Sequence, residues 1–215
     1  MSWSQISADQ VQPQPWKNGG GATRELLAWP HAHDWALRIS VARIERDGPF
    51  SSFPGVQRWL AVLEGAGLHL FDWPQAVGDE PLHFDGTLAP DAELLHGPCT
   101  VLNLMQRRGR LRLLPADQVL LPDTPWVGLF TAQGGLLEHG HRAMPLAPHT
   151  LAWCEAPARQ SCLFTAPDDR QAWWLTWSDR PERLGAGGAG RPADGGRDHR
   201  LGRPAGRPAA AGRTG

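Results

Sequence analysis

The chain has 215 residues, of which 41% are hydrophobic and 20% charged, and its formal net charge is −1. These values are ordinary for a globular protein, and no apolar run approaches the roughly 18 residues that a membrane helix needs. Residues 183–215 hold seven Arg and two Asp, so residues 1–182 carry about −6, which argues against a nucleic-acid-binding surface.

The N-terminal residues lack the basic start and the apolar core of a secretory signal. The three cysteines, Cys99, Cys154 and Cys162, show no CxxC spacing. An odd number of cysteines without a signal is typical of a reducing compartment, so we expect a cytoplasmic protein with free, buried thiols and no membrane partner.

The most unusual local feature is the segment 15–25, which reads PWKNGGGATRE and contains the single lysine of the chain, Lys17, against twenty arginines. Glycines allow a positive φ and a close approach of the backbone to a ligand. Together, the glycine amides and the single cation Lys17 predict a small anion pocket. The alternative is a glycine-rich turn into the first strand, with Lys17 solvated. The phosphate-loop pattern GxxxxGK[ST] is absent.

Alternation of apolar and polar residues predicts a β-strand at 35–44, with Arg38 and Ser40 on its less apolar face. Arg58 opens the next apolar run, 58–64. An arginine inside a small barrel needs a carboxylate, either from the protein or from a ligand. The alternative for both arginines is an outward-facing, solvated side chain.

Further short apolar runs, separated by Gly, Pro and Asp turn signals, predict strands at residues 68–71, 93–105, 111–114, 126–131, 150–155, 161–165 and 172–177. One small barrel needs fewer strands than these. We therefore predict an all-β fold of two stacked barrels or sandwiches, over residues 1–115 and 116–182. From residue 183 the composition is mostly Gly, Ala, Pro and Arg, which predicts a disordered tail over 183–215.

Asn103 stands in the otherwise apolar run VLNLM at 101–105. A buried amide needs hydrogen-bond partners, which either a ligand or a neighbouring loop would supply.

The histidines do not follow the pattern of a metal-binding cupin, in which an HxH pair is followed by a carboxylate about four residues later. His139 and His141 have the HxH spacing, but no carboxylate follows at that distance, and His31 and His33 also depart from the pattern. No nucleophile motif is present either. We therefore predict no catalytic residue, no metal and no cofactor.

Four segments occur in an order that resembles the HutD/Ves family: WKNGGG with TRE at 16–25, WALRISVA at 35–42, DGPFSSFPGVQR at 47–58 and GPCTVLNLM at 97–105. The chain departs from the family's usual motif at Val101, where the family often has Asp. The resemblance implies a bicupin fold without a catalytic metal and a link to histidine utilisation.

By motif match, the resemblance implies a ligand site formed by Lys17, Asn18, Arg38, Arg58 and Asn103. The implied function is a non-catalytic regulatory protein that binds a small carboxylate such as formylglutamate or urocanate, with Lys17 and Arg58 holding the carboxylate and Arg38 orienting it. On the sequence alone we expect Lys17→Ala and Arg58→Ala to weaken binding without affecting stability.

Two alternatives are a metal-dependent cupin enzyme, either an isomerase or an oxygenase, and a stress-induced protein with a vestigial pocket. A homodimer is compatible with the exposed edges expected of a Trp-rich β protein.

Overall fold

The computed structural model describes residues 2–167 and 171–179, and this part of the chain is almost entirely β-structure. One 3-10 helix, Ala8–Gln10, follows the first strand. The strands in chain order are β1 (Ser4–Ser7), β2 (Gln14–Pro15), β3 (Gly21–Trp29), β4 (Leu37–Ile44), β5 (Gly48–Pro49), β6 (Gln57–Glu64), β7 (Leu68–Leu70), β8 (Trp73–Gln75), β9 (Leu82–Asp85), β10 (Asp91–Leu94), β11 (Cys99–Gln106), β12 (Arg110–Pro115), β13 (Trp126–Thr131), β14 (Gly135–His139), β15 (Arg142–Leu146), β16 (Thr150–Glu155), β17 (Cys162–Thr165) and β18 (Ala172–Ser178).

The all-β prediction is confirmed, but the predicted runs did not include eight of the described strands: β1, β2, β3, β5, β8, β9, β14 and β15. The run 93–105, predicted as one strand, forms two strands, β10 and β11. The turn between them contains Gly97, whose φ of 78° lies in the left-handed region that glycine tolerates.

Four antiparallel sheets arrange these strands in two pairs. The first pair consists of a six-stranded sheet, ordered β2-β3-β4-β11-β6-β9, and a four-stranded sheet, β5-β10-β7-β8. The second pair consists of a five-stranded sheet, β1-β16-β13-β18-β12, and a three-stranded sheet, β15-β14-β17. A cluster of buried apolar side chains joins the two sheets within each pair. The sheets in the described residues are open, so they form sandwiches and no closed barrel.

A third apolar cluster joins the two pairs through the back faces of their largest sheets. It includes Ile39 of β4 and Leu104 of β11 from one side, and Trp126, Phe130 and Leu175 of β13 and β18 from the other. All five side chains are buried. The five-stranded sheet also takes β1 from the start of the chain and pairs β12 with β18. Residues 2–167 and 171–179 consequently form one compact unit.

The proposed domain bounds, 1–115 and 116–182, stay predictions, and the predicted tail, 183–215, lies outside the described residues. Within the described part, no helix is long and apolar enough to cross a membrane.

Leu104→Ala tests the shared core. The side chain is fully buried between the two large sheets, so its truncation should lower the free energy of unfolding by about 2–5 kcal/mol. Leu88→Ala is the matched control, because Leu88 is 49% exposed, and it should change stability by less than about 0.5 kcal/mol.

Urea unfolding of the wild-type protein, followed by Trp fluorescence and by circular dichroism, should give a single coincident transition. Two separate transitions would contradict a core shared by both pairs.

Candidate functional site

A cavity of about 690 Å³ lies in the first pair of sheets. All five residues of the predicted site line it: Lys17, Asn18, Arg38, Arg58 and Asn103. The remaining lining residues are Gln14, Pro15, Trp16, Thr23, Ser40, Ala42, Pro49, Phe50, Ser51, Phe53, Leu60, Val101 and Met105. The sequence prediction therefore named residues that the fold brings together around one space.

Strand alternation places the cavity side chains of β4, β6 and β11 on one face of the six-stranded sheet. In β4, Arg38 and Ser40 face the cavity, while Leu37 and Ile39 enter the core between the two large sheets. In the antiparallel register, Asn103 of β11 lies opposite Ser40 on one side and Leu60 of β6 on the other. The polar face of β4 recognised in the sequence is thus the cavity floor.

Arg58 is the most buried charged group of the cavity, with only 4% of its surface exposed. Its Nη1 donates to the carbonyl of Ser51 at 3.2 Å and its Nη2 donates to Oδ1 of Asn103 at 3.1 Å. Its Nε is buried and has no hydrogen-bond partner among the described residues.

Three phenylalanine rings surround the Arg58 guanidinium at 5.0–5.4 Å from its carbon: Phe50, Phe53 and Phe84. Burial, and then the nearby charge of Arg38, lower the pKa of Arg58 to about 10, so the side chain stays charged at neutral pH. Aromatic faces stabilise such a cation. The guanidinium is therefore fixed by contacts within the protein, and each of its two terminal nitrogens donates one hydrogen bond to a protein group.

Arg38 is held differently. Its Nε donates to Oε2 of Glu25 at 2.5 Å, and the two side chains are 23% and 30% exposed. Within the described part of the chain, its two terminal nitrogens have no partner. A guanidinium fixed through Nε presents its terminal N–H groups as a fork suited to a carboxylate.

Sequence reasoning did not include Glu25 in the site. Glu25 lies on β3 at a register shift between Glu25 and Leu27, opposite Ser40 of β4. Its pairing with Arg38 is a contact between β3 and β4, which the sequence of one strand does not show. The available signal was the period-2 relation of Glu25 to Thr23, since the side chain of Thr23 lines the cavity.

The turn at 16–20 positions Lys17 and Asn18 at the edge of the cavity. Lys17 is exposed, and no described residue pairs with its ammonium group. The amide of Gly19 donates to the carbonyl of Trp16 at 2.9 Å, and the amide of Gly20 donates to Oδ1 of Asn18 at 2.9 Å. The prediction that the glycine amides would bind an anion is therefore wrong for these two groups, because they close the turn.

Gly21 serves packing. A Cβ on this residue would lie 2.2 Å from the carbonyl oxygen of Arg43, so only glycine allows β3 to approach β4 this closely. Two further residues of the cavity lining bind each other: Nε1 of Trp16 donates to Oγ1 of Thr23 at 2.8 Å.

The chemistry of the lining groups fits an anion rather than a metal ion. The described residues contain no group of three or more His, Cys, Asp or Glu side chains that could hold a metal. His31 and His33 stack on each other with ring centroids 5.9 Å apart and do not line the cavity. The cavity instead offers guanidinium, ammonium, amide and hydroxyl groups.

The cysteines are free and buried, as predicted, and none of them lines the cavity. Burial raises the pKa of Cys99 and of Cys162 to about 11, and it also raises the pKa of Cys154. The three thiols are therefore protonated at neutral pH, which is the unreactive form.

Comparison with known proteins identifies related sequences over most of the described chain. The HutD family model matches residues 8–172. Protein Ves of Citrobacter koseri is 38% identical over 104 residues, which cover 45% of this chain and 54% of Ves. An uncharacterised 21.2 kDa protein in the hutC 3' region of Pseudomonas putida is 34% identical over 143 residues, which cover 61% of this chain and 75% of that protein. The chain thus spans about half the length of the Ves protein it matches.

Solved structures share the fold. A conserved protein of unknown function from Pseudomonas aeruginosa PAO1 superposes with a TM-score of 0.69 at 25% identity, covering 84% of this chain and 100% of that one. HutD from Pseudomonas fluorescens SBW25 (formate condition) gives the same TM-score and coverage at 23% identity. A Bacillus subtilis oxalate decarboxylase variant, at 9% identity, superposes with a TM-score of 0.55 over 81% of this chain and 77% of its own.

Arg58→Ala tests the buried network. The change leaves the carbonyl of Ser51 and Oδ1 of Asn103 without their donor and opens a void among three rings. We expect a loss of about 2–5 kcal/mol in the free energy of unfolding, in contrast to the sequence expectation of unchanged stability. Arg38→Ala, whose partner Glu25 is partly solvated, should lose less than about 1 kcal/mol. Urea denaturation measures both, and equal stability of the two variants would refute the structural role of Arg58.

Proposed function

The chain belongs to the HutD family, and on that premise we propose that it is a non-catalytic regulatory protein of histidine utilisation that binds a small carboxylate such as formylglutamate or urocanate. One observation carries the proposal: the cavity presents the ammonium group of Lys17 and the terminal nitrogens of Arg38, and none of these groups has a partner among the described residues. The location of the Pseudomonas putida relative in the hutC 3' region supports the link to histidine utilisation.

The charge balance of the cavity favours an anionic ligand. Lys17, Arg38 and Arg58 contribute three positive charges, and Glu25, bound to Arg38, offsets one. None of the described residues that line the cavity is an aspartate or a glutamate. Because low-dielectric walls of Phe50, Phe53 and Met105 limit screening by water, an entering carboxylate would offset this excess positive charge.

The structure suggests a division of roles among the predicted residues. We infer that Arg38 and Lys17 contact the carboxylate, since no described residue pairs with the terminal nitrogens of Arg38 or with the ammonium group of Lys17. Arg58 holds Asn103 in place, and Asn103 in turn reads an acceptor of the ligand, such as a formyl or amide oxygen. In this proposal Arg38 takes the role of holding the carboxylate that the sequence analysis gave to Arg58, and Arg58 positions Asn103 instead.

We further propose that the two pairs of sheets are the two cupin-like halves of a bicupin, with the cavity in the N-terminal half. The structural neighbours support this fold assignment. We also propose that the protein acts in the cytoplasm, where its three buried thiols would stay reduced.

Calorimetric titration with formylglutamate and with urocanate tests the proposal. Lys17→Ala and Arg38→Ala should each weaken binding of the preferred ligand by about 1.5–3 kcal/mol, the value of a charge-assisted hydrogen bond. This loss corresponds to an increase of Kd of roughly 10- to 150-fold. Arg43→Ala is the matched control, because Arg43 lies on the same strand but is exposed and outside the cavity lining. Absence of binding in the wild type, or equal Kd values for all four proteins, would refute the proposal.

A further inference from the structure

The protein leaves donors available in the cavity lining, on Lys17, on Arg38 and on the amide groups of Asn18 and Asn103. Three lining side chains accept a hydrogen bond from another group of the protein. Oδ1 of Asn103 accepts from Arg58, Oγ1 of Thr23 accepts from Nε1 of Trp16, and Oδ1 of Asn18 accepts from the amide of Gly20. The amide nitrogens of Asn103 and Asn18 and the hydroxyl proton of Thr23 remain available as donors, and each oxygen keeps one further lone pair.

The orientation of the Asn103 amide follows from chemistry. A guanidinium group contains only donors, so the atom of Asn103 that lies 3.1 Å from Nη2 of Arg58 must be the carbonyl oxygen. The amide nitrogen Nδ2 is then left as a donor, and it has no partner among residues 2–167 and 171–179. Because Arg58 is buried and held by Ser51 and three aromatic rings, this orientation is fixed.

Among the described residues that line the cavity, no carboxylate is present to pair with a ligand ammonium group. The carboxylate nearest to the cavity cations, Glu25, is bound to Nε of Arg38 and is not part of the lining. Gln14, whose amide can present an oxygen, is exposed at the rim. A ligand ammonium would therefore meet the positive charges of Lys17, Arg38 and Arg58 and lose part of its hydration without compensation.

We propose that the cavity selects acids without an ammonium group, either unsubstituted dicarboxylates or N-acylated amino acids, and rejects free α-amino acids. This proposal deepens the proposed function and rests on it. Asn103, held by Arg58, is the specificity-determining residue: its Nδ2 donates to the acyl or carboxylate oxygen that occupies the place of the ammonium group.

Three probes with the same carbon skeleton test the selectivity in the full-length protein: glutarate, N-acetylglutamate and glutamate. Calorimetric titration at one pH and one ionic strength gives a Kd for each. We expect N-acetylglutamate or glutarate to bind more tightly than glutamate by about tenfold or more, since an unpaired group in a polar site is strongly disfavoured. This comparison uses the wild-type chain and does not depend on how any variant folds.

Asn103→Asp tests the residue itself. One carboxylate oxygen would keep the contact with Arg58, and the other would turn the Nδ2 position into an acceptor. We expect the preference over glutamate to fall by about tenfold or more, through weaker binding of N-acetylglutamate and tighter binding of glutamate. Gln5→Glu, an exposed change on β1 away from the cavity, controls for the added negative charge and should leave the preference unchanged.

The outcomes separate the two proposals. Equal affinity of the wild type for glutamate and N-acetylglutamate would overturn the selectivity while leaving carboxylate binding intact. An unchanged preference in a folded Asn103→Asp variant would overturn the role of Asn103. Failure to bind any of the three probes, together with formylglutamate and urocanate, would overturn both the selectivity and the proposed function.

Discussion

The buried guanidinium of Arg58 is the constraint on which the cavity depends. A charge that is almost fully removed from water, with no carboxylate beside it, is costly unless other groups replace the lost hydration. Here the carbonyl of Ser51, the amide oxygen of Asn103 and three aromatic rings take this role. Because these groups come from the 50–53 segment, β9 and β11, one side chain ties the loop over the cavity to two strands of the sheet beneath it.

The six-stranded sheet performs two tasks because strand residues alternate between its faces. One face of β4 and β11 supplies Leu37, Ile39 and Leu104 to the core shared with the five-stranded sheet. The other face carries Arg38 and Asn103 into the cavity. A shift of pairing by one residue would exchange the two sets, placing charges in the apolar contact and aliphatic side chains in the cavity. The apolar contact behind the sheet therefore also fixes the register of the polar groups in front of it.

Much of this was accessible from the sequence, and the exceptions have physical causes. Apolar runs and their alternation predicted strands such as β4, β6 and β13 and the polar face that holds Arg38, and motif order brought the five cavity residues together. The ion pair of Glu25 with Arg38 joins two strands, so the sequence of either strand alone does not reveal it. The role of Arg58 depends on how deeply the 50–53 segment covers it, which is a tertiary property. The glycines suggested an anion pocket because flexibility in the sequence does not reveal which hydrogen bonds close the turn.

The contrast between the two arginines separates stability from recognition. Arg58 is buried and its terminal donors are used inside the protein, so its removal disturbs the fold and binding together. Arg38 is partly solvated and anchored through Nε alone, so its terminal donors can exchange water for a ligand at little structural cost. A receptor that must respond to a metabolite needs both kinds of group: one that keeps the site formed when it is empty, and one whose hydrogen bonds are completed when the ligand binds. The cavity places these two functions on β4 and β6, the two strands that flank β11 in the six-stranded sheet, and this arrangement lets the site remain preformed between binding events.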